Sequence, residues 1–521
     1  MALNPIPDND PNFPRWLLDL EKWAIRPYQE IQEELGGKPE YGIISYTWGK
    51  YAIGIQNPAD LPQGIMWDVP LVSAFSLNEA QRVMKSMKRR YVWWDWMCVP
   101  QGRAPDLSND LLRAKGEEIG KQMAIYRGAT SSIVWVHQTN WAKESSMRTL
   151  LKDGIPPAAG DFSTFFSAVL GILEDVRETE PWLKSIWTLQ EGVLLSETIL
   201  LDHDGNVLED ERFIHNNGCA SVIDLTAGIT QLVIRLGADF MRLSNRGEAE
   251  EDEETPLMAY IRQGKNYAYV AGVLATIMRS GLVAYAKGSP LYILSGKVGR
   301  FSSQPEDYCW ALLGALDLTF PNTWYHQGED MDLVKKEFFK PLLERWQWNL
   351  FLVAGVVNSG EYDALSWPER VVDGKMLSLG IYFDVFWKKN LPKLSWVDAN
   401  QENGMADMII LNSSEGENQC ALWKLTQPGR CRRYVQTEVM KAKEAIVRVE
   451  NVEDCPPEVS RSYLPIADLD KQSNRPGTRC IEIEPLDETT GLFRGVVDLW
   501  VAEDAVAKME CVSFRLVGRT S

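Results

Sequence analysis

Histidine is scarce in this chain, with 4 residues in 521. That leaves little room for a His-rich metal centre or for several His-based acid–base pairs. Any chemistry must therefore lean on carboxylates, hydroxyls and aromatic surfaces. Eight cysteines, at 98, 219, 309, 420, 431, 455, 480 and 511, include no C-x-x-C pair. Thiols scattered in this way through a long chain read as reduced and intracellular, not as a disulfide scaffold or a zinc ribbon. No uninterrupted apolar run reaches the roughly eighteen residues needed to span a bilayer. The N-terminal MALNPIPDNDPNFPRW is polar and proline-rich and lacks the basic-then-apolar pattern of a signal segment. A soluble, cytoplasmic protein with no membrane span is expected. Positive charge is also in deficit: the formal net charge is −18. A duplex would repel such a surface, so a nucleic-acid partner is not expected. P-loop, G-x-G-x-x-G, H-E-x-x-H and G-x-S-x-G motifs are all missing, which disfavours nucleoside triphosphatase, Rossmann dehydrogenase, zincin and serine hydrolase readings.

What is present is tryptophan, 20 residues of it, in a chain of ordinary apolar content, 45%. The length suggests roughly three domains. YGIISYTWG (41–49) and RYVWWDWMCVP (90–100) are apolar-aromatic runs that end in loop residues, and SSIVWVH (131–137) is a third. Each reads as a buried strand. Between the last two, residues 111–129 have helical spacing, with Ile119, Met123, Tyr126 and Ala129 on one stripe. PWLKSIWTLQEGVLL (181–195) reads as another helix, and Asp204-Gly205 in the following TILLDHDGNVL as a tight hairpin turn. Strands alternating with helices predict a parallel sheet flanked by helices, with ligands beyond the carboxyl ends of its strands. From about residue 224 the pattern is helical, interrupted by the acidic run Glu248–Glu254, and the last 150 or so residues alternate apolar and polar positions as strands do. The expected organisation is a lead-in over 1–40, an α/β domain over 41–220, a helical region over 221–365 and a β-rich domain over 366–521.

Several of these stretches carry a resemblance. YGIISYTWG resembles the Y-x-A-L-S-Y-x-W-G opening of the heterokaryon incompatibility (HET) domain, and RYVWWDWMCVPQG its W-x-D-x-x-C-I-N-Q block. AIYRGA, SSIVWVH, PWLKSIWTLQEGVLL, QPEDYCWALLGAL and ALSWPERV resemble later blocks of that family, in order, across about residues 15–375. Pro100 replaces the usual Asn, Lys184 the usual Arg, and Glu118 and Gln122 stand where Gln and Met are expected. The resemblance implies a fungal protein of regulated cell death on non-self contact, a flavodoxin/TIR-like sheet and the ability to self-associate. Several TIR domains, to which HET domains have been compared, cleave NAD⁺ at the nicotinamide–ribose bond with a glutamate from a W-x-x-x-E helix. Trp187 and Glu191 have that spacing.

Hydrolysis of this bond expels an already cationic base, so one carboxylate beside the ribose can stabilise the oxocarbenium-like transition state. Glu191 is the candidate for that role; as a bland alternative it pairs with Lys184 or a neighbouring basic residue. NAD is thus a candidate substrate, with no resident cofactor and no metal expected. Ser45 or Tyr46 can contact ribose or phosphate, Trp48 and Trp187 can hold a planar ring, and Gly49 can turn the chain where a side chain would clash. Asp95 can orient a ribose hydroxyl or cap a turn, and Gln101 can offer its amide to a ligand or to its own loop. Against each stands a core or loop role, and for both tryptophans the core role is the stronger. Cys98 reads as a buried structural thiol, and Asp202-His203-Asp204 as turn residues. Two other functions compete: a non-enzymatic signalling module that assembles, and a Mg²⁺-dependent prenyl-diphosphate cyclase supported only by the acidic run and the tryptophans.

Overall fold

The computed structural model describes residues 6–102, 106–155, 161–245, 255–263, 266–286, 289–325, 330–351, 371–374, 386–388, 391–397, 408–412, 420–439, 444–449, 453–458, 460–469, 477–511 and 513–517. The fold is mixed α/β. Its first sheet begins with β1 (Trp16–Asp19) and β2 (Ala24–Pro27), within the expected lead-in, and continues with β3 (Tyr41–Ser45). A separate hairpin of β4 (Ala52–Ile55) and β5 (Pro70–Val72) follows, then β6 (Tyr91–Trp93), β7 (Ser131–Trp135) and β8 (Leu200–Leu201). The spatial order is β2-β1-β6-β3-β7-β8. β6, β3, β7 and β8 run parallel, while β1 is antiparallel to both β2 and β6. Counted along the chain, the parallel strands lie in the order 2-1-3-4, so the direction of winding reverses between β3 and β7. Crevices for ligands form at such a reversal, beyond the carboxyl ends of the strands.

β3 is buried along its whole length, as a strand covered on both faces must be. Its alternate side chains meet different layers. The Tyr41 hydroxyl donates to the Ile125 carbonyl and Ser45 reaches Glu191, whereas Gly42 abuts Met87 and Tyr46 packs on Phe75. The helices of this part are α1 (Tyr28–Leu35), α2 (Leu77–Lys85), α3 (Asp95–Cys98), α4 (Asn109–Gly120), α5 (Gln122–Gly128), α6 (Ser146–Lys152), α7 (Phe162–Thr179) and α8 (Ile186–Leu194). α2 starts on a reciprocal cap between Ser76 and Glu79, which fixes where Phe75 leaves the loop.

The spacing of residues 111–129 predicts one helix, but the chain forms two, broken at Lys121 (φ −105°, ψ 12°). Gly120 weakens the helix there, and the Lys121 ammonium turns to the Glu118 carboxylate (3.0 Å), the Asn9 side chain and the Asp10 carbonyl. Beyond the break Gln122, Ile125 and Tyr126 are buried and Met123 is only half-buried. Gly116 and Gly120, one turn apart on α4, let residues 320–323 lie against the helix: Thr323 N–H donates to Gly116 O, and Phe320 N–H to Gly120 O. A Cβ on Gly120 would stand 2.1 Å from the Phe320 carbonyl oxygen, and main chain cannot swing aside as a side-chain tip does. Gly120→Ala should therefore lower stability by about 2–3 kcal/mol, read as a shift in the urea midpoint; an unshifted midpoint would refute the close approach.

Helices at Ala227–Asn245, Pro256–Arg262, Asn266–Arg279, Leu282–Ala286, Pro290–Gly296 and Met331–Trp346 form the helical region. The acidic run Glu248–Glu254 and residues 364–370 of ALSWPERV lie outside the described residues. The C-terminal strands join a twelve-stranded sheet, antiparallel except where Thr490–Trp500 runs alongside Ser513–Val517. Cys431, Cys455 and Cys480 are buried with Tyr463, Val497 and Leu499 beneath it. Among the described residues no helix is long and apolar enough to cross a membrane.

Candidate functional site

The carboxyl ends of β3, β6 and β7 converge on aromatic side chains. Tyr46 lies between Phe75, Trp94 and Trp135, with ring centroids 5.6, 6.2 and 6.5 Å away. Trp48 stacks on Trp96 at 6.2 Å, and His137 sits edge-on to Tyr51 and Phe75. Burial holds the imidazole down at about 4, and with Nε2 against the Thr47 carbonyl (2.7 Å) it is a neutral donor tying β7 to the β3 loop. The histidine is therefore a strut and not a base.

Glu191, on α8, enters this region from the other face of β3. Its carboxylate accepts from the Ser45 hydroxyl, and Ser45 Oγ accepts from the Trp182 indole N–H at 2.8 Å. The indole occupies one lone pair of Ser45, so the hydroxyl proton is directed to Glu191. Trp182 is itself fixed by Glu180, a buried carboxylate that accepts from the Trp182 backbone N–H (3.2 Å) and the Thr139 hydroxyl (2.9 Å). Burial raises the Glu191 carboxyl to about 8, with the Asp95 charge adding to it, and raises Glu180 to about 7. Glu191 is buried, with 8% of the residue's surface exposed. Tyr126, on α5, is pushed far up by burial and by the charges of Glu191 and Asp95.

Asp95 opens α3 at the end of β6, and burial raises its carboxyl. One oxygen accepts from the Trp48 indole at 3.0 Å, and the Tyr46 hydroxyl and Trp96 backbone N–H also favour the ionised carboxyl without offsetting its burial. The Tyr46 hydroxyl lies between the Asp95 carboxyl and the Trp94 indole, while the Thr47 hydroxyl and the Trp96 indole nitrogen are buried with no close partner among the described residues.

Other candidates are placed elsewhere. Trp187 shares a helix face with Glu191, but its indole donates to Asp307 (3.3 Å), itself held by Ser302 and Tyr325. Gln101 donates to the Asp95 and Val99 carbonyls, a loop-closing role. Gly49 is exposed and an added Cβ would meet nothing within 4 Å, so no clash requires a glycine there. Lys184 pairs with Glu178 and not with Glu191. Burial raises the Cys98 thiol, as a structural role requires. Asp202 accepts from the backbone of Trp141, Asp204 and Asn206, so the turn accounts for it, and no metal-holding group of His, Cys, Asp and Glu occurs among the described residues. Gln190 bridges Gln122 and the Gly314 N–H, locking α8 to α5 and to the ALLGAL segment.

Sequence reasoning missed Trp182, Tyr126 and Glu180 as neighbours of the site. The first two lie inside the motif blocks PWLKSIWTLQE and AIYRGA, but nothing local marks them as partners of Ser45 and Glu191.

Together these features describe an α/β domain with a buried carboxylate at the reversal point of a parallel sheet. Residues 41–191 match the family model described as Heterokaryon incompatibility protein (HET). This segment, from the first residue of β3 to Glu191 itself, is thus a heterokaryon incompatibility domain. No match to the chain was found among curated proteins or solved structures.

Proposed function

We propose that the heterokaryon incompatibility domain hydrolyses NAD⁺ at the nicotinamide–ribose bond, with Glu191 as the carboxylate that faces the developing cation, in a fungal cell-death response. The observation that carries the reading is the Trp182–Ser45–Glu191 chain at the ends of the parallel strands. It holds one carboxylate in a fixed direction in a low-dielectric setting, where a charge acts most strongly on a nascent oxocarbenium ion. The 2-1-3-4 order supports the flavodoxin/TIR-like comparison, and the tyrosine and tryptophan rings suit a planar base. Ser45, Tyr46 and Trp48 are the nearest candidates for ribose and ring contacts.

Nicotinamide release from NAD⁺ by the purified full chain tests this reading; a protein silent up to concentrations that permit assembly would overturn it. The pH dependence follows from the raised carboxyl. The ionised form is the active one, so kcat/KM should climb about tenfold per pH unit below about 8 and level off above it. In kcat the same inflection should fall at lower pH, because the bound pyridinium favours the carboxylate. A flat kcat/KM profile between pH 6 and 9 would remove Glu191 from this role.

A second reading, an assembly module without turnover, is favoured by the exposed Ile53 and Ile55 (66% and 63%) on the β4 edge beside the site loop. It predicts self-association with no nicotinamide released.

A further inference from the structure

Helix α8 carries Glu191, yet it starts without a cap of its own. Ser185, at the N-cap, makes no side-chain capping bond, so the first amides of the helix need partners from elsewhere. A segment 115 residues along the chain supplies one. The Ile186 N–H donates to the Phe301 carbonyl (3.0 Å), and the Phe301 N–H donates back to the Lys184 carbonyl (2.6 Å). Beside this stitch stands Arg300, a buried cation (2% exposed). Its guanidinium donates to the carbonyls of Ser185 (2.9 Å), Gly296 (3.0 Å) and Ser280 (3.3 Å) and to the Tyr285 hydroxyl (3.1 Å). Buried arginines are ordinarily paired with a carboxylate. This one is committed to four neutral acceptors, which its planar fork fixes relative to one another. Tyr285, on the helix Leu282–Ala286, extends the hold to the other end of α8. Its ring lies so close to Gly192, the residue after Glu191, that a Cβ on Gly192 would collide with it. The same ring packs at 5.7 Å, centroid to centroid, on the Trp182 indole that bonds Ser45.

We infer that Tyr285 and Arg300 are positioning residues for Glu191, and that the working unit of the heterokaryon incompatibility domain extends past residue 191 into the helical region. Neither residue lies in the segment 41–191 that the family model matches. The brace stands on the contacts above, whereas its effect on turnover rests on the NAD⁺-cleaving reading. The Arg300 fork holds the start of α8 through Ser185 and holds Tyr285 through its hydroxyl. The Tyr285 ring then holds the turn bearing Glu191 through Gly192, and the Trp182–Ser45 chain through the indole. Glu191 is thereby located both by its helix and by its hydrogen-bond partner. A carboxylate stabilises a developing cation only from a set distance, so loss of the brace acts on the transition state more than on substrate binding.

Amide hydrogen exchange of the full chain, read peptide by peptide by mass spectrometry, separates the brace from general stability. Tyr285→Leu removes the ring, and Arg300→Lys keeps the charge but loses the fork. Each should speed exchange across α8 by about tenfold while β3 and β7 stay within about twofold of wild type. In the nicotinamide assay the same two variants should lower kcat by about a hundredfold and leave KM within about twofold. Tyr285→Phe keeps the ring and drops only the tie to Arg300. It should change both kcat and α8 exchange by about fivefold, and it decides the matter if the other two do not fold. Exchange that is unmoved in α8, or that rises equally in α8, β3 and β7, overturns the brace and leaves the cleavage reading intact. Local loosening of α8 with kcat unchanged overturns the positioning role alone. A wild type that releases no nicotinamide overturns the cleavage reading and any role in turnover, and the exchange pattern then decides the brace by itself.

Discussion

Glu191→Gln should abolish nicotinamide release, with kcat falling by roughly a thousandfold, while leaving the fold intact and more stable in alkali. Glutamine keeps the size and still accepts from the Ser45 hydroxyl, so the bond network survives. What disappears is the ionisable group. In the folded protein the carboxyl titrates at about 8, against 4.5 for an ordinary glutamate. Across that window the folded chain holds a proton that the unfolded chain has released, so stability falls as pH rises from about 4.5 to about 8 and is level above. The loss amounts to a few kcal/mol, since each pH unit crossed between the two values costs about 1.4 kcal/mol. Glutamine, which does not ionise, escapes this loss, so the variant should match wild type near pH 4.5 and exceed it at pH 9. Glu180 and Asp307, raised to about 7 and about 6, act in the same direction in both proteins and cancel in the comparison. Denaturant midpoints at the two pH values, beside the nicotinamide assay, test both halves. An active variant ends the catalytic reading, and equal stability at pH 9 means that Glu191 carries no raised pKa in the folded chain.

The second large effect is purely structural. Glu118→Ala should cost about 3–5 kcal/mol, because Glu118 is a buried charge with several simultaneous partners. Its carboxylate accepts from the Arg15 backbone N–H (3.0 Å), the Trp93 indole (3.3 Å) and the Lys121 ammonium (3.0 Å). Through them it binds the start of β1, the end of β6 and the break between α4 and α5. Alanine would leave a buried Lys121 ammonium without its counter-charge, which is worse than losing an exposed pair. Glu118→Gln keeps an acceptor for two of the three donors and should lose about half as much. Midpoints for both variants that lie within about 1 kcal/mol of wild type would refute this account.

These two glutamates mark what was legible and what was not. Glu118 is visible in the sequence as a departure from the expected glutamine, and Glu191 as an acid in an apolar run. Neither could be assigned a partner, because Ser45 is 146 residues from Glu191 and Arg15 is 103 from Glu118. Trp187 shows the converse failure. Helical spacing correctly sets it one turn from Glu191, yet a residue far along the chain, Asp307, takes its indole N–H.

By itself the sequence determined the strands at 41–45, 91–93 and 131–135, the helix that carries Glu191, the β-rich C-terminal part and the family of residues 41–191. These follow from local patterns of burial and from motif residues that sit together in the chain. Only the tertiary structure decided that a hairpin from residues 16–27 joins the sheet, that residues 111–128 break into two helices, and that Ser45 links the Trp182 indole to Glu191. Each of these depends on atoms distant in sequence competing for one hydrogen-bond partner or one packing space, and no local pattern records the outcome of that competition.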